Sequence, residues 1–315
     1  MGLVLPSVRT MITQAIGSRL VLTMRILVAG WHGQVARALS ERSVVRDDVT
    51  AIAVGRPAFD LSSQPSIGRS LFGIEPDVII KTATYTDVDG AEDNPDRARQ
   101  ENAIGAANLA ADAARRGIPI IHLSTAQVFD GNQIKPYMDQ DLAEPVNSYG
   151  LSKLAGERAV ASANSKHLIV KTGWIYSPFG QNFVTTLLQR ARTQANIDFV
   201  ADQTALPTYS IHLADALLEL AATATGQQDT SLFGTYHIAG AGCASGYDVA
   251  TKVIQASADQ SGLATSLRTI SYKEVESRSR RPQHTCLDNT KVKEKFSIYM
   301  PNWQDGIEEC IKRIL

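Results

Sequence analysis

Three residues could do chemistry together: Tyr149 and Lys153 in the run SYGLSK, and Thr125 upstream in LSTAQVFDG. Residues four apart share one face of a helix, so an ammonium at Lys153 would lie near the Tyr149 phenol and favour its ionised form. A free tyrosine titrates at about pH 10, so a charged neighbour is needed to make it a usable acid–base group at neutral pH. Such a donor suits a reaction that leaves charge on oxygen, and carbonyl reduction by a nicotinamide is the simplest. Thr125 would then hydrogen-bond the carbonyl as charge develops.

These side chains need a scaffold, and the sequence supplies one from Met24. MRILVAG is a short apolar run entering the turn GWHGQVARAL, where Val35, Ala38 and Leu39 begin a helical period. Gly30 and Gly33 remove side chains where a diphosphate would approach backbone amides and a helix N-terminus, and Ala36 stands in for the third glycine of the usual spacing. Further apolar runs follow at 49–54, 77–81, 118–124 and 167–172, separated by helical stretches. That alternation predicts an α/β fold, a Rossmann-type doubly wound parallel sheet covered on both faces. Gly30, Thr84, Ser124 and Thr172 fall just beyond the carboxyl ends of strands, where such sheets bind ligands. After the second strand the chain reads AIAVGRPAFDL, with Gly55 and Arg56 where an NAD-selective acid is expected and the next carboxylate at Asp60. A guanidinium there favours NADPH as the cofactor, with NADH allowed.

The 315 residues suffice for one large and one small domain: 24–173 for the dinucleotide, and 174–315 mainly for substrate, with some segments returning to the first. Charged residues make up 20% and the net charge is −1, which argues against a nucleic-acid partner. No apolar run is long enough to cross a bilayer, so no membrane partner is expected. Cys243, Cys286 and Cys310 are too few and too far apart for a disulfide framework or a zinc site, which points to a reducing, cytoplasmic setting. The six histidines show no metal-ligand spacing, so no metal is assigned. Residues 1–23 lack acids and carry Arg9 and Arg19, faintly like a transit peptide, but Met24 directly precedes the first strand and an upstream start is preferred.

From Met24 onward the chain resembles the dTDP-4-dehydrorhamnose reductase family of extended short-chain dehydrogenases. An ordered set of segments carries the resemblance: GWHGQVARAL, ATYTDVDGAED, LSTAQVFDG, PVNSYGLSKLAGE, KTGWIYSPFGQNFV, DQTALPT and RRPQHTCLD. It implies a smaller C-terminal substrate-binding domain and reduction of a nucleotide-linked 4-keto-6-deoxyhexose, dTDP-4-dehydrorhamnose to dTDP-L-rhamnose, for cell-surface polysaccharide. The catalytic residues it implies are Thr125, Tyr149 and Lys153. The implied cofactor contacts are Gly30, His32, Gly33, Gln34, Val35, Arg56, Asp60, Leu61, Ala83, Thr84, Tyr85 and Lys153. On the substrate side they are Gln127, Trp174, Asn182, Phe183, Gln203, Pro207 and Arg281, the last within a basic cluster with Arg278 and Arg280 suited to a diphosphate. A homodimer is compatible with the resemblance, and a metal at a subunit interface stays open.

The chain also departs from the family. Ala126 and Gln127 stand where a carboxylate and a phenol usually line the sugar side, which changes the hydroxyls that can be paired and leaves sugar and base open. Lys81 and Gly90 replace a usual Asn and Lys. A regulatory binding module like the methionine adenosyltransferase beta subunit shares the fold, as do related epimerases and dehydratases. A pure binder has no chemical need for Thr125, Tyr149 and Lys153, and those enzymes lack the RRPQHTCLD segment.

Overall fold

The computed structural model describes residues 23–226, 229–261 and 265–315; the expected leader lies almost wholly outside them. Six strands form one parallel sheet: β1 (Met24–Ala29), β2 (Val49–Val54), β3 (Val78–Lys81), β4 (Ile120–Thr125), β5 (His167–Thr172) and β10 (Gly234–His237). Their spatial order is β10-β5-β4-β3-β1-β2, so the chain reverses direction across the sheet between β1 and β3. A crevice opens at such a reversal, beyond the strands' carboxyl ends.

Alternation along each strand explains the two covered faces. On β1, Ile26 and Val28 join one core cluster while Leu27 and Ala29 join the other. The first face is covered by α1 (Gln34–Val44) and, from late in the chain, by α8 (Ser210–Ala224), which packs on α1 with apolar residues buried nearly all round. The second is covered by α2 (Gln64–Ile74), by α5 (Gly105–Arg115) and by α6 (Ser148–Ala163). Before α5 the chain passes through α3 (Val88–Asp93), α4 (Pro95–Arg99) and a π-helical turn, Gln100–Ile104.

Beyond β5 lie three small pairings: β6 (Ile175–Tyr176) with β9 (Thr208–Tyr209), β7 (Asn196–Val200) with β12 (Ser266–Ile270), and β8 (Thr204–Ala205) with β11 (Ala244–Ser245). The helices here are α7 (Phe183–Ala191), α9 (Gly246–Ser261), α10 (Thr290–Phe296) and α11 (Trp303–Ile314). One expectation is corrected. Cys243 and Cys286, 43 residues apart, meet as a disulfide with Cα atoms 5.9 Å apart, within the range a disulfide spans. The β8–β11 pair and the bridge of Thr204 to His284 bring their two segments side by side, which spacing in the sequence does not reveal. Cys310 is a buried free thiol. No helix among the described residues is long and apolar enough to cross a membrane, and they contain no cluster of metal-binding side chains.

Candidate active site

The crevice is a cavity of about 550 Å³ beyond β1 to β4. Gly30 turns the chain at φ 125°, and a Cβ there would lie 2.5 Å from Thr82 Oγ1. Gly33 begins α1 without a side-chain cap, and a Cβ on it would meet nothing within 4 Å, so this helix start is open to the cavity. Unoccupied amides and the positive end of the helix dipole suit a diphosphate. Gln34, Val35, His32, Arg56, Leu61, Ala83 and Thr84 line the same cavity, as the sequence implies. The residues therefore fit a dinucleotide.

Two expected cofactor residues lie elsewhere. Asp60 turns away to accept from Ser62 and to pair with Arg56 at 3.4 Å. Tyr85 packs with Val88, Ala91, Ala98 and Tyr149, and its backbone is held by Asn102. Trp31, which the sequence reading passed over, lines the cavity with its indole against Gly55; a Cβ on Gly55 would overlap that ring. At β2 the place of a selective carboxylate is thus taken by an indole.

Of the reacting groups, Tyr149 and Lys153 stand on α6 and line the cavity, while Thr125, at the end of β4, is not among its lining residues. Asn147 caps α6, accepting from the Gly150 N–H at 2.7 Å, and Glu92 accepts from the backbone and hydroxyl of Ser148. One turn of helix separates Tyr149 from Lys153, and both line the cavity. Thr125 accepts the Gln127 N–H at 3.2 Å, which leaves its own hydrogen for the Tyr149 oxygen. Burial pushes the Tyr149 phenol up to about 12, against the Thr125 hydrogen bond and the Arg281 charge. This corrects the expected influence of Lys153. The Lys153 ammonium donates instead to the Leu123 carbonyl at 2.6 Å and to Thr84 Oγ1 at 3.2 Å. Burial pulls it down to about 8, against the pull of Glu157.

Behind these two lies a buried polar layer between sheet and helix. Glu157, one more turn along α6, pairs with Lys171 at 3.2 Å and accepts from Ser124 Oγ. Asn102, in the π-helical turn, accepts from Thr84 Oγ1 at 2.6 Å and donates to Ser152 Oγ at 2.9 Å, tying the cavity wall to α6. Lys81, fully buried, donates to the Ala83 carbonyl; burial and then Lys153 hold it well below the usual lysine range. His122 beside it on β4 is kept neutral by burial and by Lys81 and Lys153. Glu157 was legible as the third member of a Tyr-x-x-x-Lys-x-x-x-Glu face; Asn102 leaves no sequence signal we can name.

A second cavity of about 290 Å³ holds Gln127, Trp174, Gln203 and Arg281, together with Asp89 and Tyr272. Arg281 is paired with Asp89 at 3.2 Å, while Arg278 pairs with Asp93. Asn182, Phe183 and Pro207 line neither cavity. Asn182 caps α7 with a reciprocal bond from Thr185, Phe183 packs on Phe199, and Pro207 is buried with its carbonyl against Gly240. Tyr149 lines the first cavity, and the charge of Arg281, which lines the second, favours its ionised form.

Comparison with known proteins agrees with this geometry. The family model described as the RmlD substrate binding domain matches residues 24–315. The chain is 38% identical to a dTDP-4-dehydrorhamnose reductase of Sinorhizobium fredii, over 93% of this chain and 98% of that one. It is 31% identical to the dTDP-4-dehydrorhamnose reductase of Escherichia coli, over 92% and 98%. The crystal structure of the Bacillus anthracis dTDP-4-dehydrorhamnose reductase in complex with NADP superposes with a TM-score of 0.85, at 29% identity, covering 92% of this chain and 99% of that one.

Proposed function

Since the chain belongs to the RmlD substrate binding domain family, we propose that it reduces the keto group of a nucleotide-linked 4-keto-6-deoxyhexose, dTDP-4-dehydrorhamnose, to dTDP-L-rhamnose. It is an NAD(P)-dependent oxidoreductase of the short-chain dehydrogenase type. The carrying observation is the pair Tyr149 and Lys153 lining the dinucleotide crevice, with Thr125 bonded to the Tyr149 phenol and to the amide of Gln127, a residue that lines a second cavity holding a guanidinium and amides.

When bound, the reduced nicotinamide supplies the hydride. Tyr149, held protonated by burial across the neutral range, donates to the oxygen on which charge develops. When the carbonyl is bound, Thr125, its lone pair engaged by the Gln127 amide, turns its one hydrogen from the Tyr149 oxygen to the same point. Lys153 keeps a positive charge behind this pair below about pH 8, and with Thr84 offers hydroxyl and ammonium to a ribose. Arg281 and the Trp174 indole face the substrate, and Asp89 fixes the guanidinium for a diphosphate. In this reading residues 24–173 hold mainly the cofactor and 174–315 mainly the sugar nucleotide, in a cytoplasmic enzyme. A regulatory binding module finds no support in a site where donor, orienting hydroxyl and ammonium are all assembled.

NADPH is the preferred cofactor in this reading. Support comes from the Trp31 indole over Gly55 and from Arg56, which lines the cavity with a side chain 60% exposed. Asp60 and Glu101, at 3.4 and 3.8 Å, compete for that guanidinium. Steady-state kinetics with dTDP-, UDP- and GDP-linked 4-keto sugars, each with NADPH and NADH, tests both choices. Higher catalytic efficiency with NADH, or with a UDP or GDP sugar, would overturn the corresponding assignment.

A further inference from the structure

Gln127 sits two residues after Thr125 and lines the second cavity, and a chain of hydrogen bonds fixes which end of its amide faces that cavity. Asn147 Oδ1 is committed to the Gly150 N–H at the start of α6. Its Nδ2 therefore points the other way, donating to the Arg280 carbonyl, an atom that can only accept, at 2.9 Å. The same Nδ2 lies 3.2 Å from the Gln127 side chain, so the Gln127 atom facing it must be the acceptor, Oε1. Nε2 and its two hydrogens are left for the cavity. Donors recur around it: Gln203 Nε2 is buried without a partner among the described residues, and Trp174 contributes an indole that can only donate. The Asp89 carboxylate is consumed by Ser277, Ser279 and Arg281.

We propose that Gln127 determines specificity by donating from Nε2 to an acceptor oxygen on a carbon flanking the keto carbon, so that hydroxy or acylamino sugars are accepted and amino sugars, cationic at that position, are disfavoured. Proximity sets the location: the Gln127 backbone already bonds the Thr125 hydroxyl that faces the carbonyl. A ring or hydroxyl oxygen offers lone pairs to the amide, whereas an ammonium presents donors to donors. Sites built to hydrogen-bond one group reject its mismatch strongly. The inference rests on the proposed reductase reading, and the test separates the two.

The variant Gln127→Glu keeps the shape and the oxygen that Asn147 needs but turns the cavity-facing donor into an acceptor. With the 3-hydroxy substrate, a dTDP-linked 4-keto-6-deoxyhexose, KM is expected to rise about 10- to 100-fold with kcat within about 3-fold, the cost of an unmatched polar contact. With the 3-amino-3,6-dideoxy analogue KM is expected to fall, inverting the preference. NADPH affinity, read by fluorescence titration, should stay within about 2-fold, because Gln127 lies outside the cofactor cavity. If both sugars change by the same factor, or neither changes, while the wild-type protein turns over the hydroxy sugar, the inference falls and the reductase reading stands. A wild-type protein that turns over neither sugar removes both.

Discussion

Glu157→Gln tests whether the buried layer behind the active site does what its geometry implies. Glu157 and Lys171 have side chains only 7% and 5% exposed, and they face each other at 3.2 Å across α6 and β5. Glutamine keeps the shape and the oxygen that accepts from Ser124, but it removes the counter-charge and turns an amide donor toward an ammonium. Removing one partner of a buried pair costs about 3–5 kcal/mol, because the other charge is left uncompensated. For a chain of this length that corresponds to a fall in Tm of roughly 5–8 °C. An exposed pair gives the scale: Glu75→Gln, removing a carboxylate 71% exposed beside Arg25, should cost less than about 1 kcal/mol. Replacing both buried partners, Glu157→Gln with Lys171→Met, should recover at least half of the loss, since an apolar isostere needs no counter-ion. Thermal unfolding at pH 7 of the wild type and these variants measures all of this. A Tm within about 2 °C of wild type for Glu157→Gln, or a double variant no better than the single, would refute the reasoning.

Tyr149→Phe should lower turnover by about 10²- to 10⁴-fold while NADPH affinity, measured by fluorescence titration, stays within about 3-fold; near-normal turnover would remove Tyr149 as the donor. The pH profile of kcat/KM should lose activity through about pH 8, because Lys153 is a cation only below that value and Tyr149 stays protonated toward 12. Lys153→Arg should carry that limb to higher pH, and a wild-type limb lying above about 10 would exclude Lys153 as its source. Gly156→Ala would bring a Cβ within 2.2 Å of the Asn102 carbonyl oxygen, forcing α6 off the π-helical turn. A loss of about 1–3 kcal/mol in urea unfolding is expected, and wild-type stability would contradict the close packing.

The sheet was legible because its central strands β3, β4 and β5 are almost wholly buried and read as apolar runs: residues 120–125 and 167–172 lie where IPIIHLS and HLIVKT announce them. β10 was not, since GTYH is short and alternates, and it joins the sheet only because β5 offers an edge. Tyr149 and Lys153 could be found because the helix period puts them on one face. Their electrostatics could not, because the phenol's rise to about 12 depends on burial that no spacing encodes. Asn182, Phe183 and Pro207 each fall in a segment shared with the family, and their cap and packing contacts were not legible in those segments. The Cys243–Cys286 contact depends on two short strands meeting across the second half of the chain, a pairing with no local signature.

Transfer of isotope tests the central claim most directly. NADPH carrying deuterium at both C4 positions of the nicotinamide, incubated with the protein and the dTDP-linked 4-keto-6-deoxyhexose, should yield a product with one deuterium, located at sugar C4 by NMR. The Tyr149→Phe variant should form the same labelled product at least about 10²-fold more slowly. A product without deuterium at C4, or NADPH that is not consumed while the sugar is bound, would contradict hydride transfer to the keto carbon at this site.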